Sequence, residues 1–203
     1  MFFSAAKLAI LAILLLHTSA SPFVQPRQAD IEARLRQFAS DYVAGFNGDD
    51  FIKGRHKDCK HFFLPAAAFP EEVRDGVSNE FYVDFEGSLR ALIDPFEIAA
   101  PSVEPDVGSM TVVMKGVKGT GQWRSVVPGA KDHAYDNTYN IKLYTDPNGY
   151  DIIRVDEEVD LAAAGAAFAK GGVCLACLLN KSCENKDPTT KVAVDCLTNS
   201  GIL

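Results

Sequence analysis

Glu157 stands in the run Ile152-Ile153-Arg154-Val155-Asp156-Glu157-Glu158-Val159-Asp160. In a strand, successive side chains alternate between faces, so Glu157 shares a face with Ile153, Val155 and Val159. A carboxylate among apolar neighbours loses hydration, which favours its protonated form unless a partner compensates. That is how a carboxyl becomes a general acid or base near neutral pH. A structural carboxylate, held by backbone or by a tyrosine, fits the same pattern. Asp156 and Glu158 fall on the opposite face with Arg154, where solvated ion pairing is the plain reading.

Asn137 and Tyr139 share a face with Ile141 and Leu143. A carboxamide and a phenol there suit the orientation of a carbonyl or the stabilisation of an enolate, although a buried tyrosine with a satisfied hydroxyl is equally ordinary core. His133 precedes this strand in a Lys-Asp-His segment and titrates near neutrality, but a surface loop histidine is the commoner case. Tyr42 lies on the apolar stripe of the first helix, and Asp41 lies at its edge. His56 and His61 flank Cys59, but a cysteine nucleophile needs an oriented base with a third group behind it, and no such group is identifiable. The spacing of the two histidines suits neither helix nor strand adjacency, so no metal site is assigned. Neither a Gly-x-Ser-x-Gly elbow nor a phosphate loop nor a dinucleotide fingerprint is present, and no cofactor is implied.

The elements that must position these residues follow from periodicity. Ile31, Leu35, Phe38, Tyr42 and Phe46 recur at helical spacing, which predicts a helix over Ala29–Asn47 ended by Gly48. Asp49–Lys57 reads as a short second helix, Cys59–Phe69 as a strand or extended segment, and Pro70–Val77 as turn and loop. Ser78 caps a third helix, Asn79–Leu92, with Phe81, Phe85, Leu89 and Leu92 on its apolar side and Asp94-Pro95 as its stop. The period then changes to two. Phe96–Val103, Met110–Lys118 and Trp123–Val127 read as strands. Tyr139–Tyr144 and Tyr150–Asp160 read as a hairpin around Asp146-Pro147-Asn148-Gly149. Leu161–Lys170 is Ala-rich and helical. Helices first and antiparallel strands after them make an α+β fold with helices covering one face of a curved sheet.

The chain has 203 residues, 47% of them hydrophobic and 23% charged, with a net charge of −7. That composition excludes collagenous and disordered classes. No basic cluster supports binding to nucleic acid or to an anionic membrane. Met1–Ala20 combines Lys7, an unbroken apolar run over Leu8–Leu16 and small residues at Thr18-Ser19-Ala20, which predicts a cleaved secretory signal followed by a short leader to Ala29. No other stretch is apolar enough to span a bilayer. The expected location is therefore outside the cell. In that compartment Cys59, Cys174, Cys177, Cys183 and Cys196 are disulfide candidates, and their pairing is not deducible from spacing. One of the five is odd: either a thiol stays free or Cys59 tethers the tail. Asn180-Lys181-Ser182 is a glycosylation sequon.

One segment carries a resemblance. Asn137-Thr138-Tyr139-Asn140, then Ile141-Lys142-Leu143-Tyr144, the Pro-Asn-Gly turn and Ile152 through Asp160 resemble the SnoaL-like branch of the nuclear-transport-factor-two-like superfamily. The order of elements over 30–160 resembles it as well. Thr138 stands where the family often has an acid, and the cysteine-rich extension 161–203 is outside the usual domain. The resemblance implies a cone-shaped, curved antiparallel sheet on three N-terminal helices around one pocket. The family includes polyketide cyclases, isomerases and dehydratases such as scytalone dehydratase, and also proteins that only bind, so it implies a pocket without fixing a chemistry. Three functions follow as expectations. The leading one is a secreted protein binding a hydrophobic small molecule in the cone. The second is a cofactor-free cyclase, isomerase or dehydratase with Glu157 as acid/base, Asn137, Tyr139 and Tyr42 orienting substrate, and His133 or Asp41 assisting. The third is an interaction module or effector, with a homodimer formed on the sheet face that carries Asn140, Lys142 and Tyr144.

Overall fold

Helix α1 (Gln28–Asn47) buries Leu35, Phe38, Ala39, Tyr42 and Phe46, the stripe its spacing predicts. The architecture is that of a computed structural model, which describes residues 28–124 and 134–171. The leader Met1–Ala20, His133, Asn180 and the cysteines Cys174, Cys177, Cys183 and Cys196 lie outside the described residues.

The short second helix expected over Asp49–Lys57 is not formed. The chain leaves α1 through turns with Asp49 and Gly54 at positive φ (62° and 73°) and enters strand β1 (Arg55–Leu64). Left-handed residues break helical propagation, and Gly54 takes such a φ without steric penalty. The second helix lies later, as the single turn α2 (Glu71–Arg74), in a segment that reads as loop. Helix α3 (Asn79–Arg90) starts as predicted, with Ser78 Oγ accepting from Phe81 N at 3.2 Å. Its buried face differs by one residue from the expected one: Tyr82, Phe85, Glu86 and Leu89 point inward, and Phe81 is only partly covered.

Strands β2 (Ile93–Ala99), β3 (Ser102–Asp106), β4 (Thr111–Trp123), β5 (Ala134–Thr145) and β6 (Ile152–Val159) complete the sheet, and helix α4 (Leu161–Gly171) follows. The order is β1-β6-β5-β4-β2, with β3 also on β4. All pairs are antiparallel except β1 with β6. The Phe96–Val103 segment is split into two strands at Ala100-Pro101, and Asp94-Pro95 lies inside β2 rather than at a helix end. The result is α+β, a curled sheet wrapped over helices, as the sequence predicts.

Bulges make the curl, because an extra residue in one strand bends it and increases its twist. One lies in β4 between Met114 and Val117, where Gly116 has φ 62° and its N–H donates to Asn140 Oδ1 at 3.0 Å. A second leaves Ile153 of β6 unpaired, since Tyr144 opposes Arg154 and Thr145 opposes Ile152. Ile153 therefore turns outward and is 41% exposed, while Ile152 and Val155 are both buried. The simple alternation that grouped Ile153 with Glu157 fails at this bulge. It holds from Val155 onward.

Candidate active site

Four strands and three helices aim their inward residues at one cavity between sheet and helices. It is lined by Tyr42 and Phe46 of α1, Phe63 of β1, Tyr82, Phe85 and Glu86 of α3, Tyr135, Asn137 and Tyr139 of β5, Glu157 of β6, and Ala164 and Phe168 of α4, among others. Counted as the space a water's centre can occupy, it measures about 50 Å³. One water needs on the order of 10–15 Å³ by that measure, so a few waters or a small ligand fit. Ten of the eighteen lining residues are aromatic, and none is Lys, Arg or His. The wall therefore suits a flat, uncharged molecule rather than an anion.

Glu157 is brought to this wall as its strand position predicts, with its side chain only 12% exposed. Its Oε2 lies 3.1 Å from His61 Nε2. His61 itself is 1% exposed and lies behind the carboxylate, outside the cavity lining. Alternation along β1 turns Cys59, His61 and Phe63 inward together. The backbone of His61 is fixed from its other side by Val77: His61 N donates to Val77 O at 3.0 Å, and Val77 N donates to His61 O at 2.8 Å. Because the buried face of α3 is shifted by one residue, its first inward ring is Tyr82, which stacks on the imidazole at 4.1 Å and 17°. Beyond the imidazole stands Arg55, with Nη1 3.3 Å from His61 Nδ1 and its guanidinium over the Tyr82 ring at 4.3 Å. Burial lowers the His61 pKa below its usual value, against the opposing pull of Glu157. The ring is therefore held neutral at physiological pH.

Glu86 is the second carboxyl. It is 3% exposed, and its Oε2 has no partner. Burial, and next the nearby charge of Glu157, push its pKa up from 4.5 to about 8. At neutral pH it is a protonated acid with a hydroxyl to donate. Two carboxyls with different hydrogen-bond environments in one cavity divide naturally into a donor and an acceptor.

The opposite wall carries hydroxyls and an amide. Tyr135 and Tyr139 share a 2.5 Å hydrogen bond, and burial raises both, Tyr135 to about 12. One phenol donates to the other, so the accepting phenol keeps its own proton for another partner. Asn137 Oδ1 accepts from Thr138 N at 2.8 Å, which leaves its buried Nδ2 unpartnered. Tyr42 joins the lining, with its hydroxyl 3.4 Å from that of Tyr82.

Of the residues singled out from sequence, Glu157, Asn137, Tyr139 and Tyr42 are gathered here. Asp41 is not: it pairs with Lys53 at 3.3 Å and accepts from Gln37 at 3.2 Å. Cys59 is buried and unbridged, and its thiol is pushed up to about 11 by burial. Among the described residues no three His, Cys, Asp or Glu side chains gather as a metal-binding group. None of the described helices is long and apolar enough to cross a membrane. On the outer sheet face, Tyr144 donates to Asp156 at 2.9 Å and Asn140 to Glu158 at 3.0 Å, while Arg154 pairs with Asp156 at 2.6 Å.

Glu86 and His61 were not found as site residues from sequence. The signal for Glu86 was its spacing, since Tyr82, Phe85, Glu86 and Leu89 recur at three, one and three and form a single helical stripe. His61 had only its alternation with Cys59 and Phe63, and its partner lies 96 residues away.

No family model and no curated protein sequence matches the chain. Solved structures do. BvnE pinacolase from Penicillium brevicompactum is 20% identical, with a TM-score of 0.58 over 70% of this chain and 92% of its own. PrhC from Penicillium brasilianum is 10% identical, with a TM-score of 0.58 over 69% and 89%. IdmH from Streptomyces antibioticus is 13% identical, with a TM-score of 0.52 over 73% and 100%. Each neighbour is covered over nearly all its length, so the shared unit is a whole fold. The shared fold is the α+β cone that the SnoaL-like resemblance implied.

Proposed function

We propose that this chain is an acid–base catalyst acting on a small, neutral, mostly apolar carbonyl compound. Glu157 is the base, and Glu86 is the acid or hydrogen-bond donor. The observation that carries the reading is the carboxyl pair: one faces a buried histidine, and the other is protonated with one oxygen, Oε2, unpartnered in the same aromatic cavity. In the first step Glu157 takes a proton from the carbon next to the carbonyl. The C–H electron pair moves into the carbon framework and the negative charge settles on the carbonyl oxygen. Glu86, with a phenol of the Tyr135–Tyr139 pair or Asn137 Nδ2, donates to that oxygen. Return of the proton from Glu157 to another carbon gives isomerisation. Loss of a hydroxyl from the next carbon, with Glu86 giving up its proton to form water, gives dehydration. Donors fixed where charge develops supply the largest share of such catalysis. The pinacolase among the neighbours fits an enzyme on this fold, and the reaction class rests on the carboxyl pair. The Met1–Ala20 leader makes this an exported activity in the same proposal.

The test is deuterium incorporation from heavy water into cyclopentenone and cyclohexenone, followed by mass spectrometry. The protein should exchange the carbon next to the carbonyl above the buffer rate. Glu157→Gln should lose on the order of 10²–10⁴-fold, the usual contribution of a general base. No exchange above buffer, or equal rates in protein and variant, would overturn the catalytic reading. If Glu157→Gln and the parent protein still bound phenol equally, binding of a hydrophobic small molecule would stand in its place.

A further inference from the structure

We infer that Arg55 is a positioning residue that locks His61 as the neutral Nε2–H tautomer, so that Glu157 is held by a neutral donor and not by an imidazolium. The inference rests on the reading of Glu157 as base.

The argument begins with donor inventories. A guanidinium has only donors and is charged at any physiological pH. Arg55 Nη1 lies 3.3 Å from His61 Nδ1, so at that contact Nδ1 is the acceptor and carries no proton. The ring's single proton is then on Nε2, which faces Glu157 Oε2 at 3.1 Å and donates to it. Adding a second proton to His61 would set N–H against N–H and bring two cations together. The groups that face the imidazole are Arg55 from its own strand, Glu157 and Asp156 from β6, and Tyr82 from α3. The two acids favour a cationic ring. Burial and Arg55 oppose it, and the net shift of the histidine is downward.

The fold makes a specific provision for this contact. Between Arg55 and Lys60, β1 advances five residues while β6 advances only from Ile152 to Arg154. Residues 56–59 stand opposite the single Ile153 as a bulge, and Asn79 Nδ2 holds it by donating to His56 O at 2.9 Å. Alternation puts Arg55 on the face of His61, and the bulge brings it back beneath the imidazole, where six residues of unbroken strand would have set it about 20 Å away. Its guanidinium lies over Tyr82 at 4.3 Å and Tyr42 at 5.4 Å, and its Nε and Nη2 bond to nothing. A cation with idle donors is not there to satisfy its own hydrogen bonds. The contact it makes with the imidazole is the one that sets a protonation state.

The consequence for chemistry is one of basicity. A carboxylate facing an imidazolium gives up proton affinity to the ion pair, whereas one facing a neutral N–H keeps more of it. Arg55 thus acts on the base through His61, without touching substrate.

The test reads the histidine directly. The full chain, ¹⁵N-labelled at histidine, is titrated by NMR between about pH 5 and 8, the range in which an ordinary histidine changes charge. His61 is assigned by elimination with His17→Gln, His56→Gln and His133→Gln. We expect one protonated nitrogen, Nε2, throughout. In Arg55→Gln, His61 should take a proton on Nδ1 with its pKa raised on the order of 1–3 units, the range for loss of a nearby like charge. Arg55→Lys keeps the charge and should keep the ring neutral, a rescue that a packing role would not give. A proton on Nδ1 in the parent protein overturns the inference, as does an unchanged titration in Arg55→Gln. If Arg55→Gln does not fold, a cationic His61 in Arg55→Lys overturns it equally. None of these results depends on ketone turnover, so failure here and failure of the catalytic reading are seen separately.

Discussion

Replacing Glu86 by glutamine should stabilise the protein near neutral pH while impairing its chemistry. In the unfolded chain Glu86 ionises near its ordinary 4.5, and in the folded chain near 8. Between those values the folded state holds a proton that the unfolded state has released. Stability therefore falls as pH rises, by about 1.4 kcal/mol per pH unit. The contribution is fully present below 4.5 and is lost as pH rises through 8. From pH 5 to 7 the integrated loss is about 2.5 kcal/mol, and at pH 7 the penalty relative to a group that never ionises is about 3 kcal/mol. The amide of Glu86→Gln keeps the volume and cannot ionise. Urea unfolding of both proteins at several pH values then gives a difference curve. Asp58, Asp106 and Asp146, whose carboxyls are held below the usual range by their hydrogen bonds, act at lower pH and cancel in that difference. The variant should be the more stable by about 3 kcal/mol at pH 7, with the gap closing toward pH 5. Deuterium exchange into a ketone should decline above pH 8 in the parent, where Glu86 ionises and can no longer donate. A difference curve flat between pH 5 and 8 would refute the reasoning, because Glu86 would then be ionised in the folded cavity and unable to act as acid.

Two other outcomes follow from packing and burial. Phe168 of α4 is 2% exposed, bears on Trp123 and Tyr135 with ring centroids 5.6 Å away, and closes one side of the cavity. Phe168→Ala should cost about 3 kcal/mol, the low end for a buried phenylalanine because its ring already borders free space. It should also shift calorimetric binding preference from phenol toward naphthol, and an unchanged preference would mean that α4 does not limit ligand size. Cys59, with its thiol at about 11, should resist iodoacetamide at pH 8 in the folded protein and react in urea. At pH 8 only about one thiol in a thousand is thiolate in the folded protein. Peptide mass spectrometry measures this, and rapid labelling of native Cys59 would contradict its burial.

The parts legible in sequence were those fixed by local periodicity. The stripe of α1, the cap at Ser78, the hairpin at Asp146–Gly149 and the inward face of β5 all follow from neighbours within a few residues. What was illegible depended on register. Ile153 left its face because β6 carries a bulge there, and no local pattern marks which residue is surplus. Asp49–Lys57 has enough polar and apolar mixing to look helical, but two left-handed residues divert it into a strand. The Glu157–His61 contact needs the parallel pairing of β1 with β6, in which His61 opposes Val155 and Phe63 opposes Glu157. A search for antiparallel hairpins does not suggest that pairing. Glu86 was hidden for a different reason: an acid between Phe85 and Leu89 reads as the edge of a stripe, and only the rotation of α3 places it inside.

Two buried polar groups without partners on the cavity lining argue for a ligand more strongly than the shape of the cavity does. Among the described residues, Glu86 Oε2 and Asn137 Nδ2 are buried without a partner, and both residues line the cavity. Arg55 Nε and Nη2 lie unpartnered one layer behind. Each such group forfeits about 1–3 kcal/mol, and a folded domain holds only about 5–15 kcal/mol in all. The apolar surroundings, by contrast, are well matched: Phe63 meets Phe85 edge to face at 5.4 Å, and Phe96 meets Tyr135 at 5.2 Å. Glu86 Oε2 and Asn137 Nδ2 belong to opposite walls of a space that admits a small molecule, whereas Asn79 Oδ1 and Trp123 Nε1 are orphaned away from it. A ligand carbonyl oxygen can accept from Glu86 or from Asn137, which the phenylalanine rings around them cannot do.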